Sequence, residues 1–486
     1  MGRSREPPVF VRFGGTSDET KVARVAGYAP KRLPSRAWAA TTRLTTASQA
    51  RQRQKLPADY KKQHIIVFDP KPSLRYWREF TEMAFAFTEI NGGVTAPRGF
   101  RAAAVRCGIK GETKPGLDLA LIVSDVPAVA SATFTTNRIK AAPVRVSASH
   151  VRSADIRAVV VNSGNANACT GTTGIQSAKR MAKAVGHNGH WRERQTLVCS
   201  TGRIGRQLPI EKIEVAIPEL FAGLDSEAGS AFARAIMTSD TFHKEIAIEF
   251  PVTGKTIRIG GAAKGAGMID PNMATMLCFV TTDATIEKRE LQRLFLHSVE
   301  QSFNCITVDG DMSTNDTAIC LANGQAGVPA LTPDHQSYET FGEGLNFVTR
   351  NLARMIVEDG EGVSKFVEVH VKGAATYQDA RKAAEAIANS NLLKCSWYGE
   401  DPNWGRIMAA VGYSSAKVRE EMLDIFFDGV VAVEHGMASS TPPEKLKEIL
   451  GNEKFTVTVD LHLGSAEYKV FTTDLTPEYV RLNMSE

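Results

Sequence analysis

From about Gly92 onward, short β-branched hydrophobic runs alternate with longer alanine-rich stretches along this chain. A continuous apolar run of four or five residues is typical of a strand buried on both faces. Three such runs predict buried strands at 157–161, 196–199 and 276–280. The first two are followed by loops rich in Asn, Gly, Ser and Thr, and functional residues are often placed on such loops.

Two segments show the 3.6-residue spacing of amphipathic helices, residues 176–185 and 286–303. The second segment places four apolar side chains on one face, Leu291, Leu294, Phe295 and Val299.

Residues 366–371 and 455–463 instead alternate apolar with polar positions, a pattern typical of half-exposed antiparallel strands. The second of these is predicted to turn through Gly464 and Ser465 into a further strand at 468–471, forming a hairpin. Because strands and helices follow one another without a regular βαβ repeat, the pattern favours an α+β layered fold over a doubly wound sheet.

The positive charge of the chain is concentrated near its N terminus. Residues 1–62 hold 14 Lys and Arg against four acidic residues, so the net charge of +5 for the 486 residues leaves about −5 on the remainder. Residues 29–55 contain no acid and are rich in Arg, Ser, Thr and Ala, which is typical of a mitochondrial transit peptide. A basic tail or a misplaced gene start are the alternatives, and residues 63–90 have no predicted role.

Charge and hydropathy also exclude some classes of function. Outside the N-terminal extension the chain is not basic, so nucleic-acid binding is not indicated. No apolar run has the length of a membrane-spanning helix. The seven cysteines are widely spaced without a CxxC pair, which predicts neither a zinc site nor a disulfide framework and fits a reducing compartment.

Two loops superficially resemble known ligand motifs. The glycine-rich segment 260–267 contains Lys264, but no Ser or Thr follows that lysine, so it fails as a phosphate-binding loop. The acidic segment that begins at Asp309 has Thr314 and Cys320 where a calcium loop requires Gly and Glu. Neither a nucleotide nor a metal is predicted.

Thr275 lies between the glycine-rich loop and the predicted strand at 276–280, directly after the small residue Ala274. A hydroxyl becomes a good nucleophile only with a base nearby, and a Thr at a chain N terminus carries its own base, the α-amine. That amine has a pKa of about 7.7–8.0 in model compounds. The same hydroxyl could cut the chain by attacking the Ala274 carbonyl. From the pattern alone, a β-branched residue that begins a strand is the simpler interpretation.

Further segments match one known family in order along the chain. They are 94–100, 107–110, 118–125, 134–137, 162–171, 200–205, 264–270 with 274–277, 307–317, 359–362 and 401–406. Together these segments resemble the ornithine acetyltransferase family, in particular its fungal mitochondrial type. The resemblance implies a layered α/β sandwich like that of N-terminal-nucleophile enzymes. It also implies self-cleavage between Ala274 and Thr275 into an α chain (91–274) and a β chain (275–486), assembly as an α2β2 heterotetramer, and a mitochondrial matrix location.

In such enzymes acetyl passes from N2-acetyl-L-ornithine to L-glutamate through an acetyl-threonine intermediate, in the cyclic pathway of arginine biosynthesis. The resemblance implies no metal or prosthetic group, and it leaves open whether acetyl-CoA is a second acetyl donor. Two other interpretations stay open, an N-terminal-nucleophile amidohydrolase or aminopeptidase and an inactive, uncut homologue that acts as a binding protein.

The resemblance also implies roles for individual residues. Thr275 is expected to be the nucleophile, with Thr201 and Gly202 forming the oxyanion hole. Lys264 is expected to bind the substrate carboxylate and Glu361 an amino group. Thr238 and Asn483 complete the expected substrate contacts.

The sequence departs from the family at two of these places. The segment 238–241 reads Thr-Ser-Asp-Thr where the family has Thr-Thr-Asp-Thr, which preserves a hydroxyl. Beyond Asn483 the family usually continues to a further Ser or Thr that contacts substrate, whereas this sequence ends at Glu486. Full transferase activity is therefore expected to depend on a contact that this sequence does not supply.

Overall fold

The computed structural model describes residues 87–111, 116–270 and 276–484. The basic extension 1–62 and residues 63–86 lie outside these ranges. The strands of the described residues are β1 (Thr88–Ile90), β2 (Phe100–Val105), β3 (Leu119–Phe134), β4 (Ile156–Asn165), β5 (Thr196–Arg203), β6 (Lys244–Val252), β7 (Lys255–Lys264), β8 (Leu277–Thr282), β9 (Thr317–Ala322), β10 (Phe366–Ala374), β11 (Asp424–Phe427), β12 (Val430–Glu434), β13 (Met437–Ala438), β14 (Lys454–Asp460) and β15 (Ala466–Thr473).

The helices within the same ranges are α1 (Ala142–His150), α2 (Gly171–Gly189), α3 (Ile210–Ala222), α4 (Gly229–Ala235), α5 (Lys288–Glu300), α6 (Tyr338–Glu358), α7 (Tyr377–Ala388), α8 (Asn391–Tyr398), α9 (Trp404–Tyr413), α10 (Pro443–Leu450) and α11 (Pro477–Asn483). None of these helices combines the length with the apolar character needed to cross a membrane.

The larger sheet has nine strands in the described residues, in the order β1-β6-β7-β8-β9-β3-β4-β5, with β2 paired to β3. Its long strand β3 changes register between Val123 and Ala128. The first part of β3 pairs with β2 and β4, and the last part pairs with β9. A register change of this kind bends and twists a strand, so one continuous sheet supplies two packed halves, β6–β9 and β2–β5.

The two halves of this sheet pack face to face, with helices on both outer sides. In β8, Leu277 and Phe279 point into the layer between the halves, where Phe279 contacts Phe232 of α4 at a centroid distance of 5.3 Å. The alternate residues Cys278 and Val280 point outward against α5 and α6. Because both faces of β8 meet apolar side chains, the strand reads as one unbroken hydrophobic run. Helices α1, α2 and α3 cover the outer face of β2–β5.

The smaller sheet has six strands in the described residues, in the order β13-β12-β11-β14-β10-β15. The predicted hairpin through Gly464 and Ser465 is wrong, because β10 lies between the two strands that the turn connects. Strand β10 pairs parallel with β14 and antiparallel with β15. Alternate residues of these strands pack against α7–α10, and the remaining positions are half-exposed, as the alternation predicts.

The other predicted elements form with different bounds, and the α+β layered fold is confirmed. The segment 176–185 lies within α2, and 286–303 contains α5 with Leu291, Phe295 and Val299 buried. The last residues of the segment 63–90 also form part of the larger sheet. Strand β1 is the outermost strand at one edge of the larger sheet, where it pairs with β6, and Phe87 packs against Phe250 at 5.6 Å.

The layer between the two halves of the sheet should dominate the stability of this unit. Phe279 is almost fully buried there, so Phe279→Ala removes an aromatic side chain from a packed layer. We expect the free energy of unfolding to fall by about 3–5 kcal/mol, measured by chemical denaturation. The control Val215→Ala alters an 81% exposed side chain on α3 and should change it by less than about 0.5 kcal/mol. Equal effects of the two substitutions would contradict this layer arrangement.

Candidate active site

The expected site residues lie at one edge of the larger sheet, where β8 begins. Lys264, the last residue of β7, stands in register with Leu277, and Leu277 in turn stands in register with Thr317 of β9. Ala274 and Thr275 lie outside the described residues. The next residue, Met276, is fixed on both sides of its backbone. Its N–H donates to Asp316 Oδ1 (3.1 Å), and its carbonyl accepts from the Thr317 N–H (3.1 Å).

Asp316 is a deeply buried residue at this edge, with 1% of its surface exposed. Its Oδ2 atom has no hydrogen-bond partner among the described residues. The hydroxyl of Thr135 is nearby, but it donates to the Ser313 carbonyl (2.7 Å). Burial raises the pKa of Asp316 well above its ordinary value, although the Met276 N–H and the positive charge of Lys264 oppose this rise. The carboxyl therefore has unused hydrogen-bonding capacity beside the start of β8.

Thr201 and Gly202 lie at the end of β5, next to the end of the parallel strand β4. Gly164 and Gly202 stand in register, and a Cβ atom on Gly202 would lie 2.4 Å from the Gly164 carbonyl carbon. The backbone of Gly202 also has φ of +125°, which an L side chain rarely adopts. Only glycine fits this position, because the two strands end with their backbones in contact.

The side chain of Asn315 joins the Thr201 turn to the start of β8. Its Nδ2 donates to the carbonyls of Ser200 (2.8 Å) and Ala166 (2.6 Å), at the ends of β5 and β4. Asn315 and Asp316 are consecutive residues, so one short loop fixes both the turn that contains Thr201 and the backbone of Met276. The structure thus connects the turn with the expected oxyanion donors to Met276 through this one loop.

Lys264 is 4% exposed, and its ammonium has no hydrogen-bond or ion-pair partner among the described residues. Burial lowers the pKa of this ammonium, and the nearby Lys244 lowers it further. Three carboxyl groups oppose that shift, those of Asp240, Glu361 and Asp316. A buried cation without a direct partner is costly, and a bound carboxylate would supply the missing partner.

A cluster of buried ion pairs lies next to Lys264. Lys244 contacts Asp240 (2.7 Å) and Asp359 (2.5 Å), and the side chains of all three are almost completely buried. Burial alone would raise the pKa of Asp240, but Lys264, Lys244 and the hydrogen bonds to this carboxylate lower it to about 2. The Asp240 carboxylate is therefore ionised at neutral pH. Asp240 also accepts from the N–H groups of Gly265 (2.7 Å) and Thr238 (2.9 Å). The backbones of Thr238 and of Gly265, the residue that follows Lys264, are thus bound to one carboxylate.

Glu361 and Asn483 meet on the solvent side of this cluster. Asn483 Nδ2, at the end of α11, donates to Glu361 Oε2 (2.9 Å). A Cβ atom on Gly267 would lie 2.5 Å from the Glu361 carboxyl, so the glycine-rich loop passes directly against it. Lys264 and Glu361 are close enough to interact electrostatically. Opposite charges therefore face each other across the end of β7, as the binding of an amino acid requires.

Several residues that shape this site were not predicted from the sequence. Asn315, Asp316 and Asp359 lie inside segments that carry the family resemblance, but those segments assign them no role. Lys244 lies outside every such segment. The acidic loop at Asp309 has a structural function, since its carboxylate accepts the N–H groups of Met268 (2.6 Å) and Ile269 (2.8 Å). Among the described residues, no three His, Cys, Asp or Glu side chains are grouped to hold a metal ion.

Comparison with known proteins gives a consistent result. The ArgJ family profile matches residues 101–485. The arginine biosynthesis bifunctional protein ArgJ of Geobacter sulfurreducens is 51% identical over 388 residues, which cover 79% of this chain and 98% of the relative. The glutamate N-acetyltransferase of Methanocaldococcus jannaschii is 46% identical over 411 residues, covering 81% of this chain and 98% of the relative.

A solved structure of an ornithine acetyltransferase from Mycobacterium tuberculosis in complex with ornithine is 36% identical, with a TM-score of 0.35. That match covers 38% of this chain and 98% of the other. The family profile spans most of the sequence, and relatives of high identity are covered almost completely. This chain belongs to the ArgJ family.

Proposed function

We propose that this protein is a glutamate N-acetyltransferase that transfers acetyl from N2-acetyl-L-ornithine to L-glutamate in arginine biosynthesis. The observation that carries the proposal is the convergence of Thr201–Gly202, Lys264 and Glu361 at the start of β8, in a chain of the ArgJ family. Its relatives are named as an arginine biosynthesis bifunctional protein and as a glutamate N-acetyltransferase. These residues supply a carboxylate partner, an ammonium partner and oxyanion donors, which are the groups that acetyl transfer between amino acids needs.

The reaction would begin with cleavage of the chain. The Thr275 hydroxyl attacks the Ala274 carbonyl, the peptide C–N bond breaks to give an ester, and water hydrolyses that ester. Thr275 then carries a free α-amine beside its hydroxyl. The Met276 backbone, held by Asp316 and Thr317, anchors this new N terminus to β9.

Acetyl transfer would then follow in two half-reactions. The Thr275 hydroxyl attacks the acetyl carbonyl of acetylornithine while its α-amine takes the hydroxyl proton, and that proton leaves with the ornithine amine as the amide bond breaks. The amine of glutamate next attacks the acetyl ester, which releases N-acetylglutamate and restores the hydroxyl. In both steps the Thr201 hydroxyl and the Gly202 N–H would donate to the oxygen that becomes negative. Removal of one such donor typically lowers the rate by roughly 100-fold or more.

The proposed substrate contacts follow from the charges of the side chains in the site. Lys264 would bind the α-carboxylate that both acetylornithine and glutamate carry, and Glu361 would face the side-chain ammonium of ornithine. Thr238 and Asn483 border the same space and would add hydrogen bonds. No metal or prosthetic group is assigned a role in this proposal. We also propose acetyl-CoA as a second acetyl donor, and the assay described below tests this use.

Assembly and location are part of the same proposal. The α and β chains from one precursor would stay associated and pair as an α2β2 heterotetramer. The basic, acid-free segment 29–55 supports import into the mitochondrial matrix.

An acetyl-transfer assay tests the function directly. With acetylornithine and glutamate, the purified protein should release ornithine and form N-acetylglutamate, measured by mass spectrometry. Without glutamate, hydrolysis of acetylornithine should be much slower. Equal rates with and without glutamate would favour the amidohydrolase alternative. Product formed from acetyl-CoA and glutamate in the absence of acetylornithine would establish the second donor.

The nucleophile is tested by Thr275→Ala. Because both cleavage and acetyl transfer use the hydroxyl of this residue, the variant should remain one full-length chain and have no measurable transfer activity. Intact-mass analysis of wild type should show two fragments that meet between Ala274 and Thr275. A variant that is still cut at that bond and retains activity would show that the nucleophile is another residue.

Lys264→Met tests recognition of the carboxylate while preserving most of the side-chain volume. Hydrogen bonds to charged groups contribute about 1.5–3 kcal/mol, so kcat/KM for acetylornithine should fall roughly 10-fold to 150-fold. Lys394→Met is the matched control, because Lys394 is also buried but donates to Thr472 (2.7 Å) and Thr473 (2.8 Å) in the smaller sheet. That control should lower the midpoint of thermal unfolding and leave KM unchanged. A similar loss of kcat/KM in both variants would refute carboxylate binding by Lys264.

A further inference from the structure

We propose that two basic loops beside the Thr201–Gly202 turn bind the phosphate groups of coenzyme A, an inference that rests on the proposed use of acetyl-CoA as a second donor. The first basic loop (137–140) precedes α1, and the second basic loop (203–206) begins at the last residue of β5. Each loop exposes an isoleucine, Ile139 by 59% and Ile204 by 42%. Their basic residues, all partly or fully exposed, are Arg138, Lys140, Arg203 and Arg206.

Backbone hydrogen bonds place the two basic loops next to each other. Both loops, or the residues directly after them, bind the segment 166–168, which follows β4. The contacts are Ala166 N–H to the Arg203 carbonyl (3.0 Å), Gly205 N–H to the Ala168 carbonyl (3.0 Å) and Ala142 N–H to the Asn167 carbonyl (3.1 Å). The two loops therefore border one part of the surface, separated by this short segment.

The four basic side chains of this surface are not neutralised by neighbouring acids. Among the described residues, none of the four has a side-chain hydrogen bond or an ion pair. Asp311 borders the first basic loop, because the carbonyl of the next residue, Met312, accepts from Asn137 Nδ2 (3.2 Å). The segments that form the surface contain no acidic residue, namely 134–142, 162–173 and 200–209. Four unpaired positive charges at one place favour an anionic ligand.

Coenzyme A combines the two kinds of group that this surface can bind. Its phosphates match the guanidinium groups of arginine, which donate pairs of parallel hydrogen bonds to phosphate oxygens. Its pantetheine arm carries no charge and can cover the side chains of Ile139 and Ile204. Inorganic phosphate would pair with the charges but would leave both isoleucines exposed to water.

The position of the second basic loop also suits delivery of the acetyl group. Arg203 directly follows Gly202, one of the expected oxyanion donors. Arg206 is four residues from Gly202, so an extended chain separates their Cα atoms by at most about 14 Å. Phosphates bound at Arg206 therefore leave the arm free to extend along the loop, with the thioester carbonyl directed toward the Gly202 N–H.

Isothermal titration of the purified protein with coenzyme A tests binding without any acetyl transfer. Arg138→Gln combined with Arg206→Gln removes one charge from each basic loop. Because exposed ion pairs are individually weak, Kd should rise about 3-fold to 30-fold in this double variant. Binding to wild type should also weaken as the salt concentration rises.

Arg152→Gln combined with Arg194→Gln is the matched control. Both arginines are exposed and have no side-chain partner among the described residues. They lie near the opposite end of α1 from Lys140, since Arg152 follows α1 and Arg194 is next to Glu193, which faces His150. This control removes the same net charge, and Kd for coenzyme A should stay within about twofold of wild type. An equal loss of affinity in both double variants would overturn binding by the basic loops.

ATP separates the contribution of the phosphates from that of the pantetheine arm, which it lacks. Wild type should bind coenzyme A more tightly than ATP, and Ile139→Ser combined with Ile204→Ser should weaken coenzyme A binding about threefold or more. The same variant should leave ATP binding unchanged. Equal affinity of wild type for the two ligands would overturn the assignment to coenzyme A.

Steady-state kinetics add a readout that is specific for the donor. With acetyl-CoA and glutamate, KM for acetyl-CoA should rise in the Arg138→Gln, Arg206→Gln variant by about the same factor as Kd. With acetylornithine and glutamate, kcat/KM should stay within about twofold of wild type, because acetylornithine carries no phosphate. Equal losses with both donors would overturn the role of the two loops in binding coenzyme A.

The binding and transfer experiments distinguish the two proposals. If coenzyme A does not bind wild type, or binds the Arg138→Gln, Arg206→Gln variant equally well, the basic loops are not its site. Transfer from acetylornithine to glutamate can still take place in that case. If coenzyme A binds as expected but wild type transfers no acetyl from acetylornithine, the proposed function fails and the binding surface stands.

Discussion

The ion pairs of Lys244 with Asp240 and Asp359 are the constraint on which the rest of the site depends. Burying these charges is costly, and the cost is offset only when every charge has partners at hydrogen-bond distance. Asp240 meets this requirement with the Lys244 ammonium and two backbone N–H groups, those of Gly265 and Thr238. Asp359 accepts from Lys244 and from the backbone N–H and hydroxyl of Thr241. Satisfying the two carboxylates therefore fixes the loop before β6, the exit of β7 and the end of α6 relative to one another.

That arrangement explains why Lys264 can remain buried without a direct partner. Its neighbour in sequence, Gly265, is bound to Asp240, so the direction of the chain at the end of β7 is fixed. The negative charge of Asp240 reaches Lys264 without contacting it and keeps an ammonium tolerable at a site where burial disfavours it. The direct partner is then left for the ligand. A lysine paired directly with a protein carboxylate would have to break that pair to bind substrate, at a cost in affinity.

Much of the fold could be predicted from the sequence, because the local pattern of apolar and polar residues reflects which faces of a helix or strand are buried. The unbroken apolar run of β8 follows from packing on both faces, and the alternation in β10 follows from packing on one face. The pairing of the strands was harder to predict from the sequence. The turn at Gly464 and Ser465 has the residues of a hairpin, but β10, which lies some 90 residues earlier in the chain, inserts between the two strands. No local signal shows that a distant strand will compete for the same edge.

The candidate site also has residues that could be predicted from the sequence and residues that could not. Lys264, Glu361 and the Thr201 turn could be named from the family resemblance, and the structure brings them to one edge of the sheet. Asp316 and Lys244 could not, because their importance arises from contacts across the fold. The hydrogen bond from Met276 to Asp316 spans 40 residues, and the pair of Lys244 with Asp359 spans 115. A sequence shows that such residues are polar, whereas only the packed fold shows that they are buried and what they contact.

The buried charges at this edge of the sheet balance one another. Lys244 and Lys264 face Asp240 and Asp359, so these four buried charges sum to zero. Burial favours the neutral form of Asp316. The oxyanion donors expected at Thr201 and Gly202 are a hydroxyl and a backbone N–H, which carry no net charge. The acetyl transfer proposed above could therefore develop a negative oxygen while the surrounding buried charges remain paired.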